Sequence, residues 1–173
     1  LSISGVLTIL ATAEYYNAIV LPKKESESIS IVHVCMILLL LIVGLIGISV
    51  CFSYEIASVF KAPQLADYYW MMPILVFVLG GWNILNYWYI RCARYDSVSA
   101  YQLSQSILSA GGKLGFGYAG QLSGGMIYST VLAPALSLLL SLLRSRKIIA
   151  NLATFSWTKT IETARKYRNL PFY

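Results

Sequence analysis

Two charged residues, Glu14 and Lys113, lie inside otherwise apolar segments of the chain. If those segments cross a membrane, the charged side chains are costly there and indicate a functional site by default. A structural role is the alternative for each residue. Glu14 would then be a paired or snorkelling carboxylate. Lys113 would extend its ammonium to the interface, which is the interpretation we favour for this lysine.

Lys113 also belongs to a stripe of polar residues. These residues recur at three- and four-residue spacing, which places them on one face of a helix; they are Gln102, Gln105, Ser106, Ser109 and Lys113. A polar face along a membrane helix indicates an aqueous path. A polar interface with another helix is the alternative.

Further hydrogen-bonding side chains occur in two groups. Asn83 and Asn86 share a helical face because they are three residues apart. Directly after Glu14 come Tyr15, Tyr16 and Asn17. We predict that both groups line the same cavity as the stripe.

The sequence shows no nucleophile–base constellation, nucleotide-binding glycine loop or metal-ligand cluster. Its three cysteines, Cys35, Cys51 and Cys92, are odd in number and widely spaced, which supports neither a disulfide framework nor a zinc site. The loops are too short to gather the residues that a membrane enzyme acting on lipid-linked sugars needs. We therefore predict translocation rather than catalysis, with no cofactor and no metal.

The composition indicates which elements must position these groups. Of 173 residues, 58% are hydrophobic and 12% are charged, and the mean hydropathy is +0.68. A soluble domain of this size cannot bury so much apolar surface. The net charge of +6 resides in short loops without a basic, aromatic-interleaved stripe, so we exclude nucleic acid as a partner.

A membrane helix needs about 20 apolar residues to cross the hydrocarbon layer. Five segments satisfy this requirement, namely residues 1–21, 29–53, 68–90, 97–118 and 122–143. The predicted fold is all-α, a polytopic transmembrane helix bundle over residues 1–143. A cytoplasmic basic linker, 144–173, follows with a surface helix that leads to a further span. In the fourth segment, Gly111 and Gly115 have a spacing that favours close helix packing.

The cations support this count of spans. Strict alternation of five spans leaves Lys61 alone on one side and Lys113 within a span. The other side carries Lys23, Lys24, Arg91, Arg94, Arg144, Arg146, Lys147, Lys159, Arg165, Lys166 and Arg168. Because Lys and Arg in short loops remain in the cytoplasm, the amino end is predicted outside and the tail inside.

The segment 14–23, EYYNAIVLPK, resembles the end of the second helix in bacterial oligosaccharide flippases. These flippases form the polysaccharide-export branch of the multidrug/oligosaccharidyl-lipid/polysaccharide superfamily. Later stretches agree in order and spacing: Ala62-Pro63-Gln64-Leu65-Ala66 through Trp70 to Pro73, Asn86-Tyr87-Trp88 before Arg91, Gln105-Ser106, and Lys166 to Tyr173. Together they cover nearly the whole chain.

The resemblance implies helices two to six of a two-lobe transporter with about twelve helices, in which inward-open and outward-open states alternate. It implies a multi-pass protein of the bacterial cytoplasmic (inner) membrane. Its substrate would be an undecaprenyl diphosphate-linked oligosaccharide, flipped outward for O-antigen, lipopolysaccharide or other polysaccharide biosynthesis. The implied partners are this lipid-linked oligosaccharide, membrane lipids, a coupling ion (proton or sodium) and other polysaccharide assembly proteins.

Two departures from the family concern charge. Where the family often has Arg-Tyr-Glu, this chain has Glu14-Tyr15-Tyr16. Where the family often has another Arg, this chain has Gln102. Either Lys113 and the other lobe supply positive charge for a diphosphate, or the substrate differs.

These observations predict substrate binding in a hydrated central cavity. The predicted site residues are Glu14, Tyr16, Asn17, Asn83, Asn86, Gln102, Gln105, Ser109 and Lys113. Within transport, the alternative is a drug or small-solute exporter of the same superfamily. Outside transport, the alternatives are a membrane polysaccharide polymerase or ligase and a purely structural membrane protein.

Overall fold

The computed structural model describes residues 15–22, 24–55, 67–118 and 122–146. Within these ranges every regular element is helical, which confirms the all-α prediction. A 3-10 helix, Tyr15–Val20, precedes four α-helices. These are α1 (Glu25–Ser49), α2 (Met71–Arg91), α3 (Tyr95–Tyr118) and α4 (Leu122–Arg144).

Three described helices are long and apolar enough to cross a membrane. They are α1 with its continuation to Glu55, all of α2, and the part of α4 from Ile127 to Arg144. These helices correspond to the second, third and fifth predicted spans and support the assignment to membrane proteins. Helix α1 begins four residues earlier than predicted, and its first turn contains Glu25 and Glu27. Carboxylates are favourable there because the amino end of a helix is electropositive.

Two other predicted spans are not confirmed by the described helices. The fourth, 97–118, is helical as α3, but it is not among the described helices apolar enough to cross a membrane, because polar residues occupy one face. Of the first, 1–21, residues Tyr15–Val20 form a 3-10 helix rather than an α-helix. Residues 1–14 and most of the 144–173 linker lie outside the described ranges.

The outer surface of α1 is strongly apolar. Leu41, Leu45 and Ile48 are each more than 60% exposed. A continuous apolar surface of this kind would be unfavourable in water, whereas lipid acyl chains cover it without cost. The exposure pattern therefore agrees with α1 as a membrane span.

Helix α2 is central to the described bundle and contacts α1, α3, α4 and the 3-10 helix. Leu39 of α1 packs directly on Gly80 of α2, where a Cβ would have no room. Trp88 and Tyr89 are fully buried near the carboxyl end of α2. Close packing around this helix sets the positions of the other helices.

Helices α3 and α4 form a hairpin and pack mainly against each other. They approach closely at Gly112, where an added Cβ would lie 3.0 Å from the Cβ of Ser129, and still more closely at Gly125 of α4, where a Cβ would overlap Phe116. The predicted pair, Gly111 and Gly115, has open space where a side chain would extend. The expectation that this pair packs against a helix is therefore wrong, because the contact face of α3 is rotated by one residue, or about 100°.

Candidate functional site

Helix α3 has three distinct faces. The inner face carries the buried residues Ser97 and Tyr101. The apolar face carries Leu103, Ile107 and Leu114, which are 62 to 76% exposed. Along one side of the helix, the polar stripe lies between these two faces.

The residues of the stripe differ in side-chain exposure. Gln102, Ser106 and Lys113 are exposed, whereas Gln105 and Ser109 are half-buried at the edge of the hairpin. The hydroxyl of Ser106 donates to the carbonyl oxygen of Gln102 at 2.9 Å, within α3 itself. The exposed amide and ammonium groups thus remain available to water or to another polar surface.

The other predicted site residues lie on different elements. Asn83 and Asn86 are half-buried on α2, and the amide oxygen of Asn86 has no hydrogen-bond partner among the described residues. Tyr16 packs on Tyr87 of α2 with ring centroids 4.9 Å apart, and Asn17 is exposed. Glu14 lies outside the described ranges. That all these groups line one cavity therefore stays a prediction.

The loop before α1 and the loop after α2 lie at the same end of the bundle. A guanidinium nitrogen of Arg91 donates to the carbonyl oxygens of Ile19 and Val20, at 3.2 and 3.4 Å. These carbonyls lie at the end of the 3-10 helix, where helical partners are lacking. Alternating spans require this arrangement, while the side of the membrane that this end faces stays a prediction.

The turn from α2 to α3 has the hydrogen bonds of a Schellman motif. The amide of Arg94 donates to the Tyr89 carbonyl at 2.9 Å, and the amide of Ala93 donates to the Ile90 carbonyl at 3.0 Å. Ala93 has a φ of 54°, a left-handed conformation that glycine adopts more easily. This turn sets the direction in which α3 begins.

Arg94 forms an ion pair with a carboxylate just beyond the turn. Its guanidinium contacts both oxygens of Asp96, at 3.0 and 3.1 Å. These hydrogen bonds raise the pKa of Arg94 and lower the pKa of Asp96. The charge of Arg94 is therefore compensated locally.

A cleft that the sequence analysis missed lies between α3 and α4 at this same end. Its volume is about 440 Å³. We call it the hydroxyl cleft, and its polar lining includes Ser97, Tyr101, Ser104, Ser137, Ser141 and Arg144. The signal was the four-residue spacing of Ser137, Ser141 and Ser145 at and just beyond the carboxyl end of α4, which aligns three hydroxyls on one side.

Two hydroxyls of the cleft are bound by the protein. Ser104 donates to the Tyr101 carbonyl at 2.9 Å, and the oxygens of Ser141 and Tyr89 are 3.1 Å apart. Ser97, Tyr101 and Ser137 line the same cleft, and their buried hydroxyls have no hydrogen-bond partner among the described residues. Buried polar groups are nearly always hydrogen-bonded, so three unpartnered hydroxyls beside one cleft make it a candidate binding site.

Among the described residues, no group of three His, Cys, Asp or Glu side chains could hold a metal ion. Comparison of the chain with protein-family models, with curated proteins and with solved structures found no match.

Proposed function

We propose that this chain is part of a transporter in the bacterial cytoplasmic membrane that carries a lipid-linked oligosaccharide outward by alternating access. The observation that carries this proposal is the polar stripe of α3, which lies directly beside an apolar face. Gln102, Ser106 and Lys113 are exposed on the described bundle, whereas lipid would require them to be covered. Water or a polar head group would satisfy them.

The stripe has the dimensions of a path. From Gln102 to Lys113 the helix rises about 16 Å, roughly half the thickness of the hydrocarbon layer. A glycan that moves along such a surface keeps its hydrogen bonds and avoids the desolvation cost of crossing hydrocarbon. Its lipid tail remains in the bilayer beside the apolar face of the same helix.

In this proposal the bundle is one part of a two-lobe transporter with about twelve helices, and the lobes rock around a central cavity. Glu14, Asn83, Asn86 and the residues that follow Glu14 complete the cavity. A proton or sodium gradient supplies the difference in free energy between the two states. Within the stripe, Lys113 supplies the positive charge that binds the diphosphate.

Cysteine accessibility tests the path. Cys51 and Cys92 are exposed and are first replaced by serine. Single cysteines at Gln102 and Ser106 should react with membrane-impermeant maleimides in cells that express the full-length protein. Matched cysteines at Leu103 and Ile107, on the apolar face of the same helix, should not react. Unreactive stripe positions from both sides of the membrane would contradict the proposal.

The substrate needs its own test. The arginines that the oligosaccharide flippases often carry are absent here, and their absence also agrees with a small-solute exporter. Depletion of the protein should cause lipid-linked glycan to accumulate in the cytoplasmic leaflet. Normal glycan turnover together with increased sensitivity to a toxic solute would instead assign the exporter. Stripe variants can be tested for both effects in the depleted cells. A variant that restores solute resistance but still accumulates lipid-linked glycan would show that the two activities are separate.

A further inference from the structure

The hydroxyl cleft lies apart from the polar stripe, on the inner face of the α3–α4 hairpin. We propose that it binds the phosphate group of an anionic membrane phospholipid at the cationic end of the bundle. This inference does not depend on the transport proposal, because it uses neither the stripe nor Glu14.

The donor set of the cleft matches a phosphate. The hydroxyls of Ser97, Tyr101 and Ser137 are almost completely buried and unpartnered among the described residues. Each can donate one hydrogen bond. Phosphodiester oxygens are strong acceptors, and hydrogen bonds to a charged acceptor are stronger than those to a neutral one.

The charge of the cleft also favours an anion. Arg144 lines the cleft and has no ion pair or hydrogen bond among the described residues. A guanidinium binds two oxygens of one phosphate in its planar fork. No acidic residue is among the described lining, and the nearby Asp96 is already bound to Arg94. The positive charge of Arg144 therefore lacks a counterion within this part of the chain.

The position of the cleft favours a lipid over a soluble anion. Arg144 ends the apolar segment of α4 that can cross a membrane, so the cleft lies at the depth of the head groups. Leu140 and Leu143 also line the cleft, and both are about half exposed. An acyl chain can lie along these leucines while its phosphate reaches Arg144. Basic pockets between membrane helices bind anionic head groups in this way.

Native mass spectrometry of the purified full-length protein in detergent tests the proposal. The probes are phosphatidylglycerol, phosphatidylcholine with the same acyl chains, and inorganic phosphate. We expect phosphatidylglycerol to remain bound and to resist competition by inorganic phosphate. R144Q and the double variant S97A/S137A should each weaken its binding about tenfold, since each removes charge-assisted hydrogen bonds.

Matched controls use residues outside the described lining of the cleft. R146Q removes an exposed arginine two residues away, and S99A removes an exposed serine of α3. Both should retain phosphatidylglycerol within about twofold of the unmodified protein, as expected for exposed positions. Thermal unfolding in phosphatidylcholine checks folding, and S97A/S137A should unfold normally because its hydroxyls have no partner among the described residues.

Three results would overturn the proposal. The first is equal retention of phosphatidylcholine and phosphatidylglycerol. The second is displacement of phosphatidylglycerol by inorganic phosphate at equal concentration, which would assign the cleft to a soluble anion. The third is that R144Q binds phosphatidylglycerol as well as the unmodified protein does, whereas R146Q loses this binding.

Discussion

The indole ring of Trp82 stacks on the phenol ring of Tyr101, with ring centroids 3.3 Å apart and planes inclined by 9°. This stack joins α2 to α3 and fixes the orientation of the Tyr101 ring. Tyr101 thereby lines the hydroxyl cleft, with its hydroxyl buried rather than turned toward lipid. A contact between two helices thus fixes the position of the Tyr101 side chain at the proposed binding site.

Tyr89→Phe and Tyr101→Phe should differ in stability although both remove one buried hydroxyl. Tyr89 loses its interaction with Ser141, which should cost about 0.5–1.5 kcal/mol of the free energy of unfolding. Tyr101 keeps its ring stack and has no described hydroxyl partner to lose, so its variant should unfold like the unmodified protein. Denaturant unfolding in detergent measures both. Equal destabilisation would show that the Tyr101 hydroxyl has a protein partner.

Arg91→Gln should loosen the 3-10 helix Tyr15–Val20, because its guanidinium binds two carbonyls there. Hydrogen exchange at these amides should become faster by about tenfold, as expected for the loss of one charged hydrogen bond. Arg94→Gln is the control, since Arg94 contacts the exposed Asp96 instead. Equal exchange in the two variants would contradict the assigned role of Arg91.

Gly112→Ala should leave the α3–α4 hairpin less stable than Gly111→Ala does, because its new methyl group would press on Ser129. Gly111→Ala makes the same chemical change one residue earlier, where space is open. That variant should be neutral or slightly more stable. Thermal unfolding of the two variants compares them, and destabilisation by Gly111→Ala alone would reverse the assigned contact face.

Ala93→Gly should stabilise the protein by about 1 kcal/mol, because glycine adopts the left-handed conformation of this turn without steric cost. Ala110→Gly, an exposed position inside α3, should lose up to about 1 kcal/mol through lower helix propensity. Opposite signs in denaturant unfolding are the expected result. A loss at both positions would show that residue 93 does not need a positive φ.

The Arg94–Asp96 pair should appear in the titration of Asp96. Hydrogen bonding from Arg94 lowers the carboxyl pKa from its ordinary value of 3.8, so the pair stabilises the fold above the unfolded-state pKa. That contribution disappears as the pH falls through the folded-state pKa. Carboxyl NMR titration should place Asp96 below 3.8, and Arg94→Gln should raise its pKa. An unmodified Asp96 that titrates at or above 3.8 would contradict the pair.

Hydropathy and helical spacing predicted much of the fold from the sequence. The four α-helices lie where the second to fifth apolar segments were predicted, with ends shifted by no more than four residues. The physical reason is local, because a long apolar run in lipid must satisfy its backbone hydrogen bonds within its own helix. The spacing of the polar stripe likewise required only the helical period.

Tertiary structure decided which helical face meets which neighbour. Sequence spacing showed that Gly111 and Gly115 share a face, but rotation of α3 about its axis brought Gly112 to Ser129 instead. The hydroxyl cleft has the same origin, since Ser97 and Ser137 are forty residues apart and meet only where the hairpin packs. The helical period determines which residues are neighbours on one helix. The rotation and pairing of helices depend instead on packing across the whole bundle.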